Sequence, residues 1–132
     1  MATLTLRARG SAPVTLVWER YADPTLWPTW APQIQRVDTG LQRLAAGGTG
    51  TVRVGLLHRP ALGIPFRVLA VDEAAREWTW EAWLGPLRLQ LEHGVTAHLA
   101  GSSTWLRVQG PPPVILVYAP LARIALSRLV AV

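Results

Sequence analysis

Short alternating runs separated by tight turns dominate the chain between residues 51 and 109. In each run apolar and polar side chains alternate, as they do in a strand with one buried face. Connections such as "GP" and "AGS" are far shorter than the dozen or so residues that a parallel crossover needs, so consecutive strands should pair antiparallel. The predicted strands are Thr51–His58, Phe66–Asp72, Glu77–Leu84, Leu87–Leu99 and Ser103–Gln109.

Two features of these strands need an explanation. Leu87–Leu99 would span roughly 43 Å at about 3.3 Å per residue, so we expect it to bend, with a bulge at Gly94. Trp83 and Trp105 fall on the polar face of their strands. Two exposed tryptophans would indicate a subunit interface and a homodimer, whereas a local bulge would turn them inward.

The chain begins with a further strand and a helix. Thr3–Arg9 alternates apolar and polar residues, which predicts a half-buried strand. Pro13 suits the first turn of a helix. The apolar residues that follow recur with the spacing of one helix face and are Val14, Val17, Trp18 and Tyr21.

A second short helix is expected directly afterwards. Asp23 is a favourable cap, and Pro24 is favoured at the first helical position. We expect this helix to end near Trp27, because Pro28 disfavours a helical conformation in the residue before it. The next strand is predicted at Ile34–Asp38.

The most apolar segment, residues 114–132, closes the sequence. It is long enough to span a bilayer, but Arg123 near its middle would cost about 2.5–3.5 kcal/mol in a membrane. We therefore predict a buried amphipathic helix and no membrane span. Pro120 predicts a kink or a second helix start. The residues expected to face the sheet are Val114, Val117, Leu121, Ile124 and Ala125.

Composition limits the class of protein. The chain has 132 residues, of which 50% are hydrophobic and 16% are charged, so we expect one folded domain over residues 1–132 and exclude a disordered chain. All 13 basic residues are arginines scattered singly, which argues against nucleic-acid binding despite the net charge of +5. Cysteine is absent, and the first residues lack the apolar core of a secretion signal, so a cytoplasmic location is expected.

Several short motifs resemble a known family. They are "AP…VW" at residues 12–18, "D…W.P" at 23–32, "G.G" at 48–50 and "G.ST.L.V" at 101–108. Together with the order of elements, they resemble the START-related SRPBCC superfamily, and its polyketide cyclase/dehydrase branch in particular. The resemblance implies an α+β helix-grip fold: a curved antiparallel sheet of six to seven strands around a long C-terminal helix, with two short helices after the first strand. It implies a hydrophobic pocket and no fixed catalytic residue.

Alternation along the strands identifies the residues expected to face that pocket. The charged side chains of each strand share one face, which should be wet, so the opposite face should line the concave core. These residues either bind a ligand or simply fill the core. The candidate ligand-binding residues are Trp30, Val54, Leu56, Trp78, Trp80, Leu89, Leu91, His93, Thr104, Leu106, Val117 and Leu121.

His93 is the one candidate for catalysis. It is either a base or hydrogen-bond donor toward an enolisable ligand, or a histidine satisfied by a neighbouring backbone carbonyl. His93 and His98 differ by an odd number and therefore point to opposite faces, and no third ligand is in register. We expect neither a metal site nor a cofactor.

Three functions remain open from the sequence. The first is binding of a small hydrophobic molecule, such as a polyketide, an isoprenoid quinone or a lipid, because the predicted inner face is apolar. The second is a polyketide aromatase/cyclase, with His93 as base or orienting donor and Trp30 shaping the entrance. The third is an interaction domain that uses Trp83 and Trp105.

Overall fold

The structure, a computed structural model, describes residues 1–55 and 62–132, so the predicted residues Leu56 and His58 lie outside the described part. Its helices are α1 (Val14–Ala22), α2 (Trp27–Trp30) and α3 (Pro112–Leu129), with a 3-10 turn at Pro24–Leu26. Its strands are β1 (Ala2–Gly10), β2 (Ile34–Thr39), β3 (Thr49–Val54), β4 (Leu62–Asp72), β5 (Glu77–Leu84), β6 (Leu87–His98) and β7 (Gly101–Gly110).

The seven strands form one antiparallel sheet in the order β1-β7-β6-β5-β4-β3-β2. Every neighbouring pair except β1 and β7 is consecutive in sequence, as the short turns predicted. The last strand, β7, pairs with the first, β1, so β1 and β2 form the two opposite edges of the sheet. The segment that connects these two edges contains α1 and α2. The predicted helix-grip fold is confirmed.

The C-terminal half of α3 is tightly held against β1 and α1. The Arg20 guanidinium donates to the carbonyl oxygens of Leu129 at 2.7 Å and Ala131 at 2.6 Å, where a helix leaves its last carbonyls without partners. A side chain at Gly10 would overlap the backbone of Val130, so glycine permits this close approach. The amide of Ala12 donates to the Val130 carbonyl at 3.0 Å.

The predicted orientation of α3 is partly wrong. Ala125 is buried, and Val114, Val117 and Leu121 face the space between the helix and the sheet, as expected. Ile124 does not, because it is 49% exposed and lies beside Ser127 and Arg128. The helix is apolar on most of its circumference, so hydrophobicity alone did not fix its rotation. By length and composition it could cross a membrane, but here it packs against β1, β7 and α2. It continues without interruption through Pro120, and its buried residues are Ile115, Ala122, Ala125, Leu126 and Leu129.

The second helix ends at Leu26, close to the predicted end near Trp27, but Pro28 does not keep Trp27 out of the helical conformation. Asp23 caps a single 3-10 turn by accepting from the amide of Thr25 at 3.0 Å, and α2 then begins at Trp27. Pro28 lies in the first turn of α2, where its missing amide hydrogen costs nothing. The proline therefore starts a new helix instead of ending the previous one.

The predicted bulge at Gly94 is not present. Gly94 pairs in regular register with Glu77 on β5 and with Trp105 on β7, and a side chain at Gly94 would overlap the Trp105 indole. Glycine at this position makes room for the Trp105 indole on the outer face. Trp83 and Trp105 are both half-buried, and both lie in regular register. The irregularities of the sheet lie in β2, between Ile34 and Arg36, and in β4, between residues 68 and 70.

Candidate functional site

A cavity of about 470 Å³ lies between the sheet and the helices α2 and α3. This volume is in the range of small-molecule binding sites. Its sheet side is formed by inward-facing residues of β2 to β7, and most of them are aliphatic or aromatic. The aliphatic members on this side are Ile34, Val52, Val54, Leu62, Ile64, Ala82, Leu84, Leu89, Leu91 and Leu106.

Aromatic rings form a continuous wall of the cavity. Trp78 stacks on His93, with ring centroids 4.6 Å apart and planes inclined by 11°. Trp78 also stacks on Trp80, at 5.4 Å and 19°. The Trp27 ring lies 5.4 Å from that of Trp80 and 5.6 Å from that of Phe66. Such contacts stabilise ring positions beyond simple burial, so this wall is preformed.

The tryptophans of α2 are fixed by the end of α1. The indole N–H of Trp27 donates to the carbonyl of Tyr21 at 2.9 Å, and that of Trp30 donates to the carbonyl of Arg20 at 2.9 Å. These carbonyls belong to the last turn of α1, where helical partners are lacking. Both rings are buried and both line the cavity. Trp30 is therefore part of the wall, anchored in place, and not a mobile gate.

Helix α3 supplies the opposite wall, and the cavity opens to solvent beside it. Val117 on α3 and Leu62 on β4 both line the cavity, although they are 74% and 55% exposed. We call the opening bounded by these two residues the mouth. The other lining residues of α3 are Pro113, Val114, Tyr118, Leu121, Ala122, Ala125 and Leu126.

His93 belongs to a chain of hydrogen bonds that has one consistent direction. Thr104 donates its hydroxyl hydrogen to the Gly94 carbonyl at 2.9 Å, so its oxygen accepts from the Tyr21 hydroxyl at 2.6 Å. The Tyr21 oxygen then accepts from Nδ1–H of His93 at 3.2 Å. Nε2 of His93 accepts from the indole N–H of Trp80 at 2.9 Å. We call these residues the relay; the arrangement requires the neutral Nδ1–H tautomer of His93.

The relay and its burial make His93 a poor base. Burial lowers the pKa of His93 to about 3, because the imidazolium would be desolvated. The lone pair on Nε2 is already occupied by Trp80. Burial also raises the pKa of Tyr21, so its hydroxyl stays protonated and keeps its place in the relay.

Three polar groups at the cavity differ from the relay. Tyr118 lines the cavity, and its hydroxyl makes no hydrogen bond with any residue in 1–55 or 62–132; burial raises its pKa to about 12. Gln33 is only 7% exposed, yet its Oε1 has no partner within the described chain. Nε1 of Trp78 is likewise without an acceptor among the described residues. Buried polar atoms are normally paired, so unpaired ones in a cavity wall call for an explanation.

Most of the sequence-predicted binding residues come together at this cavity. Thr104 does not, because its hydroxyl is turned into the relay behind the cavity wall, and Leu56 lies outside the described residues. The predicted residues that line the cavity are Trp30, Val54, Trp78, Trp80, Leu89, Leu91, His93, Leu106, Val117 and Leu121.

Sequence reasoning missed several lining residues, three of which carry polar atoms or large rings. Tyr118 lies four residues after Val114 and three before Leu121, so helical spacing already placed it on the same stripe. Trp27 and Gln33 belong to a short helix and a turn, where no periodicity is available to show which side chains point inward.

Known structures share this fold at low sequence identity. The crystal structure of Ara h 8.0201 is similar with a TM-score of 0.78 and 14% identity, over 97% of this chain and 94% of that one. A protein from Chromobacterium violaceum matches with a TM-score of 0.78 and 14% identity, over 98% of this chain and 96% of that one. The di-domain ARO/CYC BexL from the BE-7585A biosynthetic pathway matches with a TM-score of 0.80 and 16% identity. The match includes 98% of this chain and 45% of the BexL chain.

Sequence comparison gives a complementary result. No curated protein matches the chain significantly. The profile described as "Polyketide cyclase / dehydrase and lipid transport" matches residues 1–131, which is nearly the whole sequence. Together with the helix-grip architecture and the apolar cavity, this match confirms the SRPBCC-type resemblance: the chain belongs to the polyketide cyclase/dehydrase and lipid transport family.

Proposed function

We propose that this protein binds a small hydrophobic molecule, of the polyketide, isoprenoid quinone or lipid kind, in the cavity between the sheet and α3. The observation that carries the proposal is the cavity itself, which has about 470 Å³ of space and walls made almost wholly of aliphatic and aromatic side chains. Apolar surface that faces such a space gains free energy when a hydrophobic guest displaces water from it.

The preformed aromatic wall supports the same proposal. Trp27 and Trp30 are held by hydrogen bonds to the end of α1, and Trp78 stacks on both His93 and Trp80. A guest therefore meets rings that are already ordered, so binding does not require them to lose further freedom. Flat, conjugated guests gain most from such a wall, because they can stack on it.

The aromatase/cyclase alternative finds less support in the geometry of His93. A base must have an accessible lone pair and a pKa near the working pH, whereas Nε2 of His93 accepts from Trp80 and its pKa is about 3. The two functions separate in one measurement on His93→Gln. A cyclase that uses His93 loses turnover far more than affinity, while a binding protein loses affinity and turnover, if any, together.

Thermal unfolding with a panel of neutral polyketides, quinones and lipids tests the proposal. A guest present at one hundred times its Kd stabilises the folded state by about 2.7 kcal/mol. For a domain of this size that raises Tm by roughly 5–10 °C. At least one member of the panel should produce such a shift, and unchanged Tm values throughout would contradict the proposal.

Two tryptophan substitutions on α3 locate the binding. Leu121→Trp places a larger side chain in the cavity, whereas Ile124→Trp makes the same kind of change on a side chain that does not line it. Leu121→Trp should abolish the ligand-induced shift and Ile124→Trp should retain it. Equal shifts in both variants would place the guest outside the cavity.

A further inference from the structure

The cavity wall is apolar and uncharged throughout the part of the chain that the structure describes. Its side chains with polar atoms there are all neutral and are Gln33, His93, Tyr118, Trp27, Trp30, Trp78 and Trp80. The indole N–H groups of Trp27 and Trp30 already bond to carbonyls of α1. A charged group moved from water into such a space, without a counter-ion or several hydrogen bonds, carries a penalty of several kcal/mol. An ionised carboxylate or phosphate inside the cavity would meet this penalty.

The neutral polar groups divide into two sets. His93 and Trp80 bond to each other and are therefore engaged by the protein itself. The Gln33 amide oxygen and the Trp78 indole N–H are buried and have no partner among residues 1–55 and 62–132. The Tyr118 hydroxyl also makes no hydrogen bond to these residues, but unlike those two atoms it is not fully buried. Of these, the phenol of Tyr118 is the stronger donor, and burial raises its pKa to about 12, so it stays protonated at neutral pH.

The position of Tyr118 suits a donor to a guest. It lies on α3 one turn before Ala122 and directly after Val117, which bounds the mouth. The side chain is only half-buried, so its ring contacts the guest space without being locked into the packed core. A carbonyl oxygen on the guest would accept a hydrogen bond from the Tyr118 hydroxyl. An aromatic ring of the guest next to that carbonyl would then lie against the tryptophans of the opposite wall.

We propose, building on the proposed function, that the guest is a neutral aromatic or conjugated molecule with a carbonyl oxygen, and that Tyr118 donates a hydrogen bond to this oxygen. Tyr118 is thus a specificity residue. The carbonyl gives the guest its orientation, and the wall formed by residues 1–55 and 62–132, which carries no charge, rejects the corresponding carboxylate.

Three naphthalenes of nearly identical shape test the proposal. Acetylnaphthalene carries a neutral carbonyl, ethylnaphthalene replaces the carbonyl by a methylene, and naphthoate replaces the acetyl group by an ionised carboxylate. Their affinities are measured by isothermal calorimetry at neutral pH for the unaltered protein and for Tyr118→Phe. The Tm of Tyr118→Phe, measured without ligand, establishes that the variant is folded.

We expect acetylnaphthalene to bind about three- to tenfold more tightly than ethylnaphthalene, the value of one neutral hydrogen bond. Tyr118→Phe should remove this preference by weakening acetylnaphthalene alone, and naphthoate should bind at least about a hundredfold more weakly than acetylnaphthalene. Ethylnaphthalene that binds as well as acetylnaphthalene, a preference that survives Tyr118→Phe, or tight binding of naphthoate would each overturn the inference while leaving the proposed function intact. Binding of none of the three would overturn the inference, and the Tm panel of polyketides, quinones and lipids would decide the proposed function separately.

Discussion

The space between the sheet and α3 has two halves that are built in opposite ways. In the packed half, the C-terminal part of α3 lies on β1 and β7, and Leu129 and Val130 at its end are fully buried. In the open half, the N-terminal part of α3 faces the cavity, and Val117 remains 74% exposed. The same helix thus serves as core at one end and as a wall of the cavity at the other.

Polar groups follow the same division. In the packed half, Tyr21 donates to Thr104 and accepts from Nδ1–H of His93, and Thr104 donates to the Gly94 carbonyl. In the open half, Tyr118 has no partner in the described residues. Groups whose bonds are completed by the protein stabilise the fold, and groups left incomplete beside a cavity are available for recognition. His93 lies at the boundary, because it lines the cavity and also belongs to the relay.

The largest expected difference between the halves concerns two leucines of α3. Leu129→Ala should lower the free energy of unfolding by about 3 kcal/mol, because it leaves a void among fully buried side chains. Leu121→Ala should lower it by about 1 kcal/mol or less, because Leu121 already borders open space and is only half-buried. Urea unfolding measures both values. Equal losses would mean that the open half is as tightly packed as the other.

The two tyrosines offer the next comparison. Tyr21→Phe removes the acceptor of His93 Nδ1–H and the donor to Thr104, so it should cost about 2 kcal/mol of stability. Tyr118→Phe removes a hydroxyl that bonds to no described residue, and it should change stability by less than about 0.5 kcal/mol. Thermal unfolding of the two variants without ligand compares them directly. A large loss in Tyr118→Phe would indicate that its hydroxyl completes a bond in the fold.

The sequence predicted the sheet and most of the inner face because a strand has a period of two. Once the charged residues of β5 and β6 marked the wet face, alternation left a single choice for Trp78, Trp80 and Leu91. Thr104 was assigned to the correct face of β7, but alternation says nothing about hydrogen bonds. Its bond to Tyr21 connects residues 83 positions apart, and no local pattern reveals such a partner.

The orientation of the helices was harder to predict, because their apolar residues fit more than one apolar stripe. On α3, Leu116, Val117 and Ile124 are apolar and yet exposed, so the apolar stripe could be drawn in more than one rotation. Gly94 signalled a special backbone position, but a bulge and a close approach by an aromatic ring both demand glycine. Only the location of Trp105 on the neighbouring strand distinguishes the two.

The smallest predicted effect is the pH dependence of stability that arises from His93, the residue at the boundary between the two halves. The pKa of His93 is about 3 in the folded protein and about 6.5 in an unfolded chain, so between these values the unfolded state binds one more proton. Stability should therefore be complete above about pH 6.5 and decrease as the pH falls, by about 1.4 kcal/mol between about pH 6 and about pH 5. Urea unfolding across this range measures the slope.

The variant His93→Gln serves as the control, because glutamine offers a donor and an acceptor but does not titrate in this range. The slope between about pH 6 and about pH 5 should become markedly shallower in this variant, whatever its absolute stability. Nitrogen NMR of the unaltered protein should show the neutral Nδ1–H tautomer throughout the same interval, since Trp80 and Tyr21 fix which nitrogen carries the hydrogen. An imidazole that takes up a proton near pH 6 would show that the relay is open to water. His93 would then belong to the open half, and its role as a base would have to be reconsidered.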